Sequence, residues 1–412
     1  MSHLADLIKE LCPDGVEYRR LDELFATRNG YTPSRSDASA WDSHDIPWFR
    51  MEDIRENGGI LDRALTYISS SAVKNGVLFP ENSLLVATSA TIGAHALITV
   101  PHLSNQRFTS LRLKDEYRKY FDYRFLYYYC FVLDAFCLEH VNVSSFPSVD
   151  MRAFRSFKFP VVPLAVQREI VRILDQFTTL EAELEAELEA RRAQYEYYRN
   201  QLLSYDALVS RCPNGVQYKS IGSFSKCVAG ATPNSKNPSL WDGDIPWMSS
   251  GEVNKKTVYS TNRFITQLGF DSCSTKMVPA GAVVIALAGQ GKTRGTVARI
   301  RIELCTNQSL CAIITDKTVD SDYLFHYLSG QYDNLRAVSS GDGTRGGLNL
   351  KMIRAYKVPV PPIEEQRRIA DVLDRFDTLV NDISSGLPAE IAARRAQYEY
   401  YRDRLLSFPE KK

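Results

Sequence analysis

The sequence predicts an α+β protein in which two mixed α/β domains are separated by two long helices that pair as an antiparallel coiled coil. Three observations support this prediction. The chain has 412 residues, more than one hydrophobic core usually organises. Its two halves repeat each other, and each half ends in a long segment with apolar residues at three- and four-residue spacing. Because residues 7–12 resemble residues 207–212, which follow the first long segment, the repeat behaves as circular, and we expect a pseudo-twofold axis.

The repeat consists of short motifs at matching positions in the two halves. The motif pairs are 12–18 with 212–218 (CPDGVEY and CPNGVQY), 30–33 with 230–233 (GYTP and GATP), 45–48 with 244–247 (DIPW), and 105–106 with 307–308 (NQ). The nine residues RRAQYEYYR occur at 191–199 and again, unchanged, at 394–402. The stretches between them, roughly 50–150 and 250–350, have diverged, so the repeated parts predict a shared task and the diverged parts different ones.

Two segments carry the long helical pattern. No Gly or Pro interrupts the chain from 164 to 204, whereas the second segment meets Gly386 and Pro388 and should break near 385–388. We therefore expect domains at 1–160 and 206–359, with long helices at 161–205 and 360–412. The alternative is two unrelated helices, each packed on its own domain.

Composition excludes several classes of protein. With 44% hydrophobic and 24% charged residues, the chain can form ordinary cores and shows no fibrous or disordered bias. None of its eight cysteines forms a Cys-x-x-Cys pair, so we expect reduced thiols and no metal site. Asp6, Lys9 and Glu10 interrupt the first apolar run, so neither a signal peptide nor a membrane segment is expected and a cytoplasmic location is predicted. The net charge of +1 means that nucleic-acid binding would depend on local basic clusters.

The motifs at 12–18, 163–177 (PLAVQREIVRILDQF) and 191–199 resemble the specificity subunits of type I restriction-modification systems, and the resemblance covers essentially the whole chain. It implies two target recognition domains, each of which reads one half of a bipartite, asymmetric site in double-stranded DNA. It also implies assembly with two methylase subunits, which bind S-adenosylmethionine and methylate adenine, and with translocating restriction subunits. The chain itself would hold no cofactor and would not be catalytic.

Motifs of catalysis are weak in this sequence. The adenine-methylase box, Asp/Asn-Pro-Pro-Tyr/Phe, is absent. Residues 286–293 (ALAGQGKT) approach a P-loop but lack its first glycine, and residues 341–346 (GDGTRG) match a dinucleotide pattern without the strand and helix that should flank it. Both are interpreted as surface loops.

Candidate DNA contacts are hydroxyl, amide and basic side chains in the diverged loops. The alternative for each is a solvated side chain without a role. In the first domain the candidates are Ser89, Thr91, Arg107, Arg152 and Arg155, and in the second they are Gln290, Lys292, Thr293, Arg294, Arg345 and Lys351.

Candidate partner contacts lie in the repeated nonapeptide, because aromatic residues and arginine are enriched at protein interfaces. They are Tyr195, Tyr198, Arg199, Tyr398, Tyr401 and Arg402. The alternative is that some of these tyrosines close the coiled coil. The four tryptophans recur where the two domains should differ in specificity, so they are assigned to the cores.

The segment 180–190 (LEAELEAELEA) is a tandem four-residue unit. Removal of one unit would shorten a helix by about 6 Å and rotate the remainder of the chain about the helix axis by about 40°, close to the twist of one DNA base pair. We expect the spacer of the recognised site to change by one base pair, and an unchanged spacer in a methylation map of the deletion variant would contradict this. Two alternatives stay open: a structural spacer protein that displays two protein-binding domains, and a system in which methylase and nuclease are fused.

Overall fold

The computed structural model describes residues 2–142, 146–213, 215–289, 293–339, 347–382 and 385–411. The chain divides into two compact units. Unit 1 contains Met1–Glu183 together with Ala392–Lys412, and unit 2 contains Leu184–Ile391. Unit 1 is thus built from both ends of the sequence, as a circular repeat requires, because each unit takes the beginning of one long helical segment and the end of the other.

The elements of the first half are numbered in chain order. The helices are α1 (Ser2–Leu11), α2 (Leu21–Leu24), α3 (Met51–Asn57), α4 (Tyr123–Glu139), α5 (Met151–Ser156) and α6 (Leu164–Leu203). The strands are β1 (Glu17–Arg20), β2 (Phe25–Asn29), β3 (Ile46–Phe49), β4 (Ile60–Leu61), β5 (Tyr67–Ile68), β6 (Ser83–Ala87), β7 (His95–Ile98), β8 (Leu103–Ser104), β9 (Phe108–Leu113), β10 (Val141–Asn142), β11 (Ser148–Val149) and β12 (Lys158–Val161).

The elements of the second half continue the numbering. The helices are α7 (Tyr205–Arg211), α8 (Ile221–Phe224), α9 (Gln267–Asp271), α10 (Ser321–Ser329), α11 (Tyr332–Ala337), α12 (Leu350–Ala355), α13 (Ile363–Asn381) and α14 (Leu387–Leu405). The strands are β13 (Gln217–Ser220), β14 (Ser225–Ala229), β15 (Trp241–Met248), β16 (Thr257–Val258), β17 (Arg263–Ile265), β18 (Val283–Ala286), β19 (Val297–Ile300), β20 (Cys305–Thr306), β21 (Leu310–Thr315) and β22 (Lys357–Val360).

A five-stranded sheet in the order β2-β9-β6-β7-β4 forms the centre of unit 1. A hydrophobic core covers each face of this sheet, and successive side chains of β6 enter the two cores in turn. Leu84 and Val86 enter the core that contains α4, whereas Leu85 and Ala87 enter a second core shared with a small sheet in the order β5-β3-β8. A strand buried on both faces must be apolar at successive positions, which explains the run SLLVA.

Unit 2 repeats this arrangement with its own residues. Its five-stranded sheet runs β14-β21-β18-β19-β16, and its small sheet runs β17-β15-β20. Val283 and Ile285 of β18 enter the core that contains α10, and Val284 and Ala286 enter the core on the opposite face. The diverged stretches of sequence therefore share one topology.

Buried glutamines attach the long helices to the sheets. Gln167 accepts a hydrogen bond from Asp122 N (2.8 Å) and donates to the carbonyl oxygens of Tyr120 and Val162. Gln366 makes the corresponding contacts in unit 2, accepting from Asp320 N and donating to two carbonyl oxygens. This accounts for the Gln-Arg pair near the start of both helical segments, since a buried amide needs all of its hydrogen bonds satisfied.

Within each unit, two pieces of the long helical segments pack against each other. In unit 1 the ring of Phe177 lies 6.3 Å from that of Tyr398 and 5.7 Å from that of Tyr401, and Arg395 Nε donates to Glu181 Oε1 (2.6 Å). Residues later in α6 contact residues earlier in α14, so the two helices pack antiparallel. α6 is continuous over 40 residues, whereas α13 ends at Asn381 before α14 begins at Leu387.

No helix in the part of the chain that the structure describes is both long enough and apolar enough to span a membrane.

Candidate nucleic-acid interface

Four loops of unit 1 meet at one end of its five-stranded sheet, where β2 and β6 end and β7 and β9 begin. Backbone hydrogen bonds join them: Thr88 N donates to Arg107 O (3.0 Å), Val149 N to Thr88 O (2.9 Å), and Tyr31 N to Ser104 O (2.8 Å). We call this set of loops, residues 30–34, 88–94, 105–107 and 146–149, the loop end of unit 1. Its framework is backbone held by hydrogen bonds between the loops.

The loop end of unit 2 consists of residues 230–234, 287–289 with 293–296, 307–309 and 347–349. Leu287 N donates to Ser309 O (2.8 Å), Leu348 N to Leu287 O (2.9 Å), and Ala231 N to Thr306 O (3.0 Å). These bonds reproduce the pattern of unit 1. The two units thus hold different loop sequences on the same set of supports.

The structure brings Ser89, Thr91 and Arg107 together at the loop end of unit 1. Ser89 and Thr91 flank Ala90, which has a φ of 63°, an uncommon value for a residue other than glycine. Both hydroxyl residues are half-buried, whereas Arg107 is exposed. No hydrogen bond or ion pair links the Arg107 guanidinium to any residue that the structure describes, so it is available to a ligand.

Arg152 and Arg155 lie on the short helix α5, which follows the loop end of unit 1 in the sequence and packs against α2. Asp150 caps that helix and accepts from Arg152 N (2.8 Å). Both arginine side chains are exposed, and neither guanidinium pairs with a residue within the described ranges.

Only part of the predicted set of unit 2 can be placed. Thr293 and Arg294 are half-buried at the loop end, and Lys351 is exposed in the first turn of α12. Gln290, Lys292 and Arg345 lie outside the described residues.

Paired tryptophans support each loop end. Trp48 Nε1 donates to Tyr31 O (2.9 Å) and Trp41 Nε1 to Ser34 O (3.0 Å), and the two indole rings meet edge to face with centroids 5.2 Å apart. Trp247 and Trp241 of unit 2 donate in the same way to the carbonyl oxygens of residues 231 and 234. The indoles hold the 30–34 and 230–234 loops. Trp48, Trp241 and Trp247 are buried, as their assignment to the cores predicts, whereas Trp41 is half-buried.

Glycine is required at the start of both supported loops. A Cβ atom on Gly30 would lie 2.2 Å from Asn105 O, and one on Gly230 would lie 1.7 Å from Thr306 O. The backbones of two loops pass too closely for any other residue. The repeated Gly-x-Thr-Pro motif therefore marks a backbone crossing that both units share.

The candidate partner residues of unit 2 differ in exposure. Tyr195 is buried and its hydroxyl lies 3.0 Å from His326 Nδ1, and burial raises the pKa of that hydroxyl. The ring of Tyr198 contacts that of Phe376 at 5.7 Å yet is 41% exposed, and the Arg199 guanidinium stacks over Tyr195.

In unit 1 the corresponding side chains are half-buried. Tyr398 and Tyr401 pack on Phe177, and the Arg402 guanidinium lies 4.5 Å from the ring centre of Phe131. These contacts favour the alternative for Tyr198, Tyr398 and Tyr401, whose rings pack between the long helices, whereas Tyr195 is buried against α10. The outward face of the nonapeptide is formed by Tyr197 and Tyr400, 60% and 59% exposed.

Comparison with known proteins identifies the architecture. The sequence profile described as the type I restriction modification DNA specificity domain matches this chain twice, at residues 13–190 and 213–393.

The chain belongs to this family. It is 40% identical over 397 residues to the specificity subunit of the type I restriction enzyme EcoprrI of Escherichia coli, and the match covers 93% of each chain. It is also 40% identical over 253 residues to the EcoR124I/EcoR124II specificity subunit of Escherichia coli, covering 61% of each.

Solved structures of the specificity family share the fold. The S subunit from M. genitalium superposes with a TM-score of 0.53 at 14% identity, covering 96% of this chain and 97% of that one. A chain from a study of complex assembly and conformational transition in the type I R-M system superposes with a TM-score of 0.63 at 16% identity, covering 96% and 98%.

The P-loop-like segment of this family member has no P-loop context. It connects β18 to β19, which pair antiparallel with Ile285 opposite Val297. A P-loop instead leads from a strand into a helix whose N-terminus binds phosphate. The described residues of the segment, 286–289 and 293, thus lack the strand-to-helix setting of a P-loop, whereas residues 290–292 and the dinucleotide-like motif at 341–346 lie outside the described residues.

Sequence reasoning passed over Gln106 and Gln308 at the two loop ends of this specificity-family chain. Thr32 Oγ1 donates to Gln106 Oε1, and Thr232 Oγ1 donates to Gln308 Oε1, each at 2.5 Å. The signal was present, since Asn-Gln recurs at 105–106 and 307–308 within otherwise diverged stretches.

Proposed function

We propose that this chain is the DNA-specificity subunit of a type I restriction-modification complex, with each unit reading one half of a bipartite, asymmetric site. One observation carries the proposal: equivalent supports present different side chains at the two loop ends. Ser89 and Thr91 lie in the loop of unit 1 that corresponds to the loop of Thr293 and Arg294 in unit 2. Arg107 lies where Ser309 lies in unit 2. Two units that recognise different DNA sequences need the same framework with different loop residues.

The chemistry of the loop ends suits duplex DNA. Arginine donates two hydrogen bonds to the major-groove edge of guanine, and hydroxyl groups bond to either bases or phosphates. The net charge of +1 supplies no general attraction to a polyanion, so binding would depend on these local groups and on the partners.

The chain would not be catalytic by itself. Two methylase subunits would supply S-adenosylmethionine and the transfer of its methyl group to adenine, and restriction subunits would join through them. The nonapeptide that occurs twice, at 191–199 and 394–402, supports a stoichiometry of two, because the same surface is available once in each unit.

Co-expression with the methylase of the same system tests the proposal. We expect co-purification, salt-sensitive binding of duplex DNA, and adenine methylation at a bipartite motif when the DNA of the expressing host is sequenced for modified bases. Alteration of the loop end of one unit should change one half of that motif and leave the other half intact. Co-purification without DNA binding or methylation would instead support a structural spacer protein.

A further inference from the structure

The two loop ends differ in most side chains but share one polar arrangement, Thr32 with Gln106 and Thr232 with Gln308, which we call the threonine–glutamine pairs. In each, the threonine hydroxyl donates to the glutamine carbonyl oxygen. Both glutamine side chains are exposed. Their Nε2 amino groups form no hydrogen bond with any residue in the described ranges, so each pair presents two unused donors to solvent.

Each glutamine is held in a rigid setting. Asn105 Oδ1 accepts from Arg107 N (3.0 Å), as Asn307 Oδ1 accepts from Ser309 N (3.1 Å), which fixes the turn that carries the glutamine. The threonines follow Gly30 and Gly230 at the backbone crossing. Because the amide is already oriented, binding a ligand through it costs little additional side-chain entropy.

The neighbours of the pairs differ between the units. Gln106 is followed by the exposed Arg107, whereas Gln308 is followed by the half-buried Ser309. A contact that reads sequence should diverge with its neighbours. An arrangement that is identical at two loop ends of different specificity fits a feature that both half-sites share, and the sugar-phosphate backbone is the shared feature of every DNA sequence.

The hydrogen-bonding pattern also favours phosphate over a base. Glutamine reads adenine with two groups at once, its oxygen accepting from N6 and its amino group donating to N7. Here the oxygens of Gln106 and Gln308 already accept from threonine. The threonine occupies one of the two lone pairs of that oxygen, whereas both N–H donors of the amino group are unused, and a donor is what a phosphate oxygen requires.

We infer that Gln106 and Gln308 each donate a hydrogen bond from Nε2 to a DNA phosphate oxygen, as a backbone contact common to both half-sites. This rests on the proposed function and adds to it residues that set the position of each unit on the duplex without reading bases.

The experiment compares binding of two duplexes by the complex of the full chain with its methylase. One duplex carries the cognate site, and the other has both half-sites scrambled. Gln106→Ala should weaken binding to both duplexes about tenfold, the typical effect of losing one hydrogen bond to a charged group, with their affinity ratio unchanged. Gln106→Glu, which keeps the acceptor for Thr32, should weaken both further because a carboxylate repels phosphate.

Neutral methylphosphonate links placed one at a time along the cognate duplex locate the contact. At one position the substitution should weaken wild-type binding but cause no further loss in Gln106→Ala, because the partner is already gone. Thr32→Val, which leaves the amide unfixed, should lose less than Gln106→Ala. Should Gln106→Ala fail to fold, Gln106→Glu is measured in the same scan.

Two outcomes overturn the inference. A fall in the cognate-to-scrambled ratio, with relaxed methylation at one base position, would make Gln106 a base contact. Wild-type affinity for both duplexes in Gln106→Ala and Gln106→Glu would make the pair purely structural. A wild-type complex without preference for the cognate duplex would contradict the proposed function instead, so the two failures are distinguishable.

Discussion

His326 Nε2 lies 2.7 Å from Asp374 Oδ1 in unit 2, and the Tyr128 hydroxyl lies 2.6 Å from Asp175 Oδ1 in unit 1. The two aspartates occupy the same position in the repeated helix start, Ile-Leu-Asp and Val-Leu-Asp. Each unit therefore uses one carboxylate of a long helix to hold the helix that packs on its central sheet, with a different donor in each case.

Asp374→Asn should destabilise unit 2. Asp374 also pairs with the buried Arg299, which keeps Asp322 and Asp377 as partners at 3.0 Å each. Burial opposes ionisation of Asp374, but hydrogen bonds from His326 and Arg299 hold its pKa below the usual value. Loss of the charge should cost about 2 kcal/mol in the free energy of unfolding, measured by urea denaturation.

Asp371→Asn is the matched control, because Asp371 is exposed on the same helix. Its effect should stay within about 0.5 kcal/mol. Equal destabilisation by both variants would contradict a special role for Asp374.

His102→Leu should remove a pH dependence of stability from unit 1. Burial lowers the pKa of His102 to about 4, although the hydrogen bond between Nδ1 and Val100 O opposes this shift. The unfolded chain binds a proton near pH 6.5 and the folded chain does not, so stability present above pH 6.5 is lost as the pH falls towards 4. Unit 2 has the buried Leu304 at the equivalent backbone position, where it pairs with Val278 as His102 pairs with Phe79.

The measurement is the urea midpoint at several pH values between 7 and 4. We expect a shallower decline in His102→Leu than in the wild type. His44→Gln, at an exposed histidine, should keep the wild-type decline. Parallel curves for His102→Leu and wild type would refute the assignment.

Arg107→Ala should relax recognition of one half-site only. Arg107 is exposed immediately before β9 at the loop end of unit 1, and its guanidinium pairs with none of the residues that the structure describes. Its loss should cost about 1–3 kcal/mol of discrimination at one position of the methylated motif, read by sequencing modified adenines. Arg118, which follows the opposite end of the same strand and pairs with Asp115, is the control and should leave the motif unchanged. A uniform loss over both half-sites would assign Arg107 to the phosphate backbone.

Tyr197→Ala and Tyr400→Ala should each remove one of two methylase subunits from the complex. Both side chains are well exposed at identical positions of the repeated nonapeptide. Truncation of an aromatic residue at the centre of an interface typically costs about 2 kcal/mol or more. Native mass spectrometry should find one methylase with either single variant and none with the double variant. Tyr195→Phe, altered inside unit 2, should retain both, and two methylases on the double variant would place the interface elsewhere.

The repeat made much of the fold predictable. Some features occur in both halves because the same physical constraint occurs twice, namely Gly30 and Gly230, the tryptophans and the long helical stripes. These repeated features therefore mark the framework, and the diverged segments mark the loops. The repeat does not predict the burial of individual side chains, as Tyr195 and Tyr197 show. Both are tyrosines in one identical motif, and which of them is buried depends on where the second helix packs, which the helical period alone does not determine.

The loop ends were predicted less completely for a related reason. Arg107 and Thr91 were recognisable as donors in diverged segments, whereas Gln106 was not singled out because its neighbour Thr32 is 74 positions away. Contacts of that separation depend on the register of β2 on β9, with Asn29 opposite Thr109. Local patterns in a sequence do not predict the register between two strands that are far apart along the chain.

The composition of unit 1 from both ends of the chain imposes an order on its formation during synthesis. Unit 2 is contiguous, so all of its residues are available once Ile391 has been made. Unit 1 lacks the helix that packs on Phe177 until Ala392–Lys412 emerge, after the 208 residues of 184–391. At roughly 5–20 residues per second, the first part of unit 1 waits about 10–40 s with that apolar helix face uncovered. The N-terminal unit is therefore completed after the C-terminal unit, although its synthesis begins first.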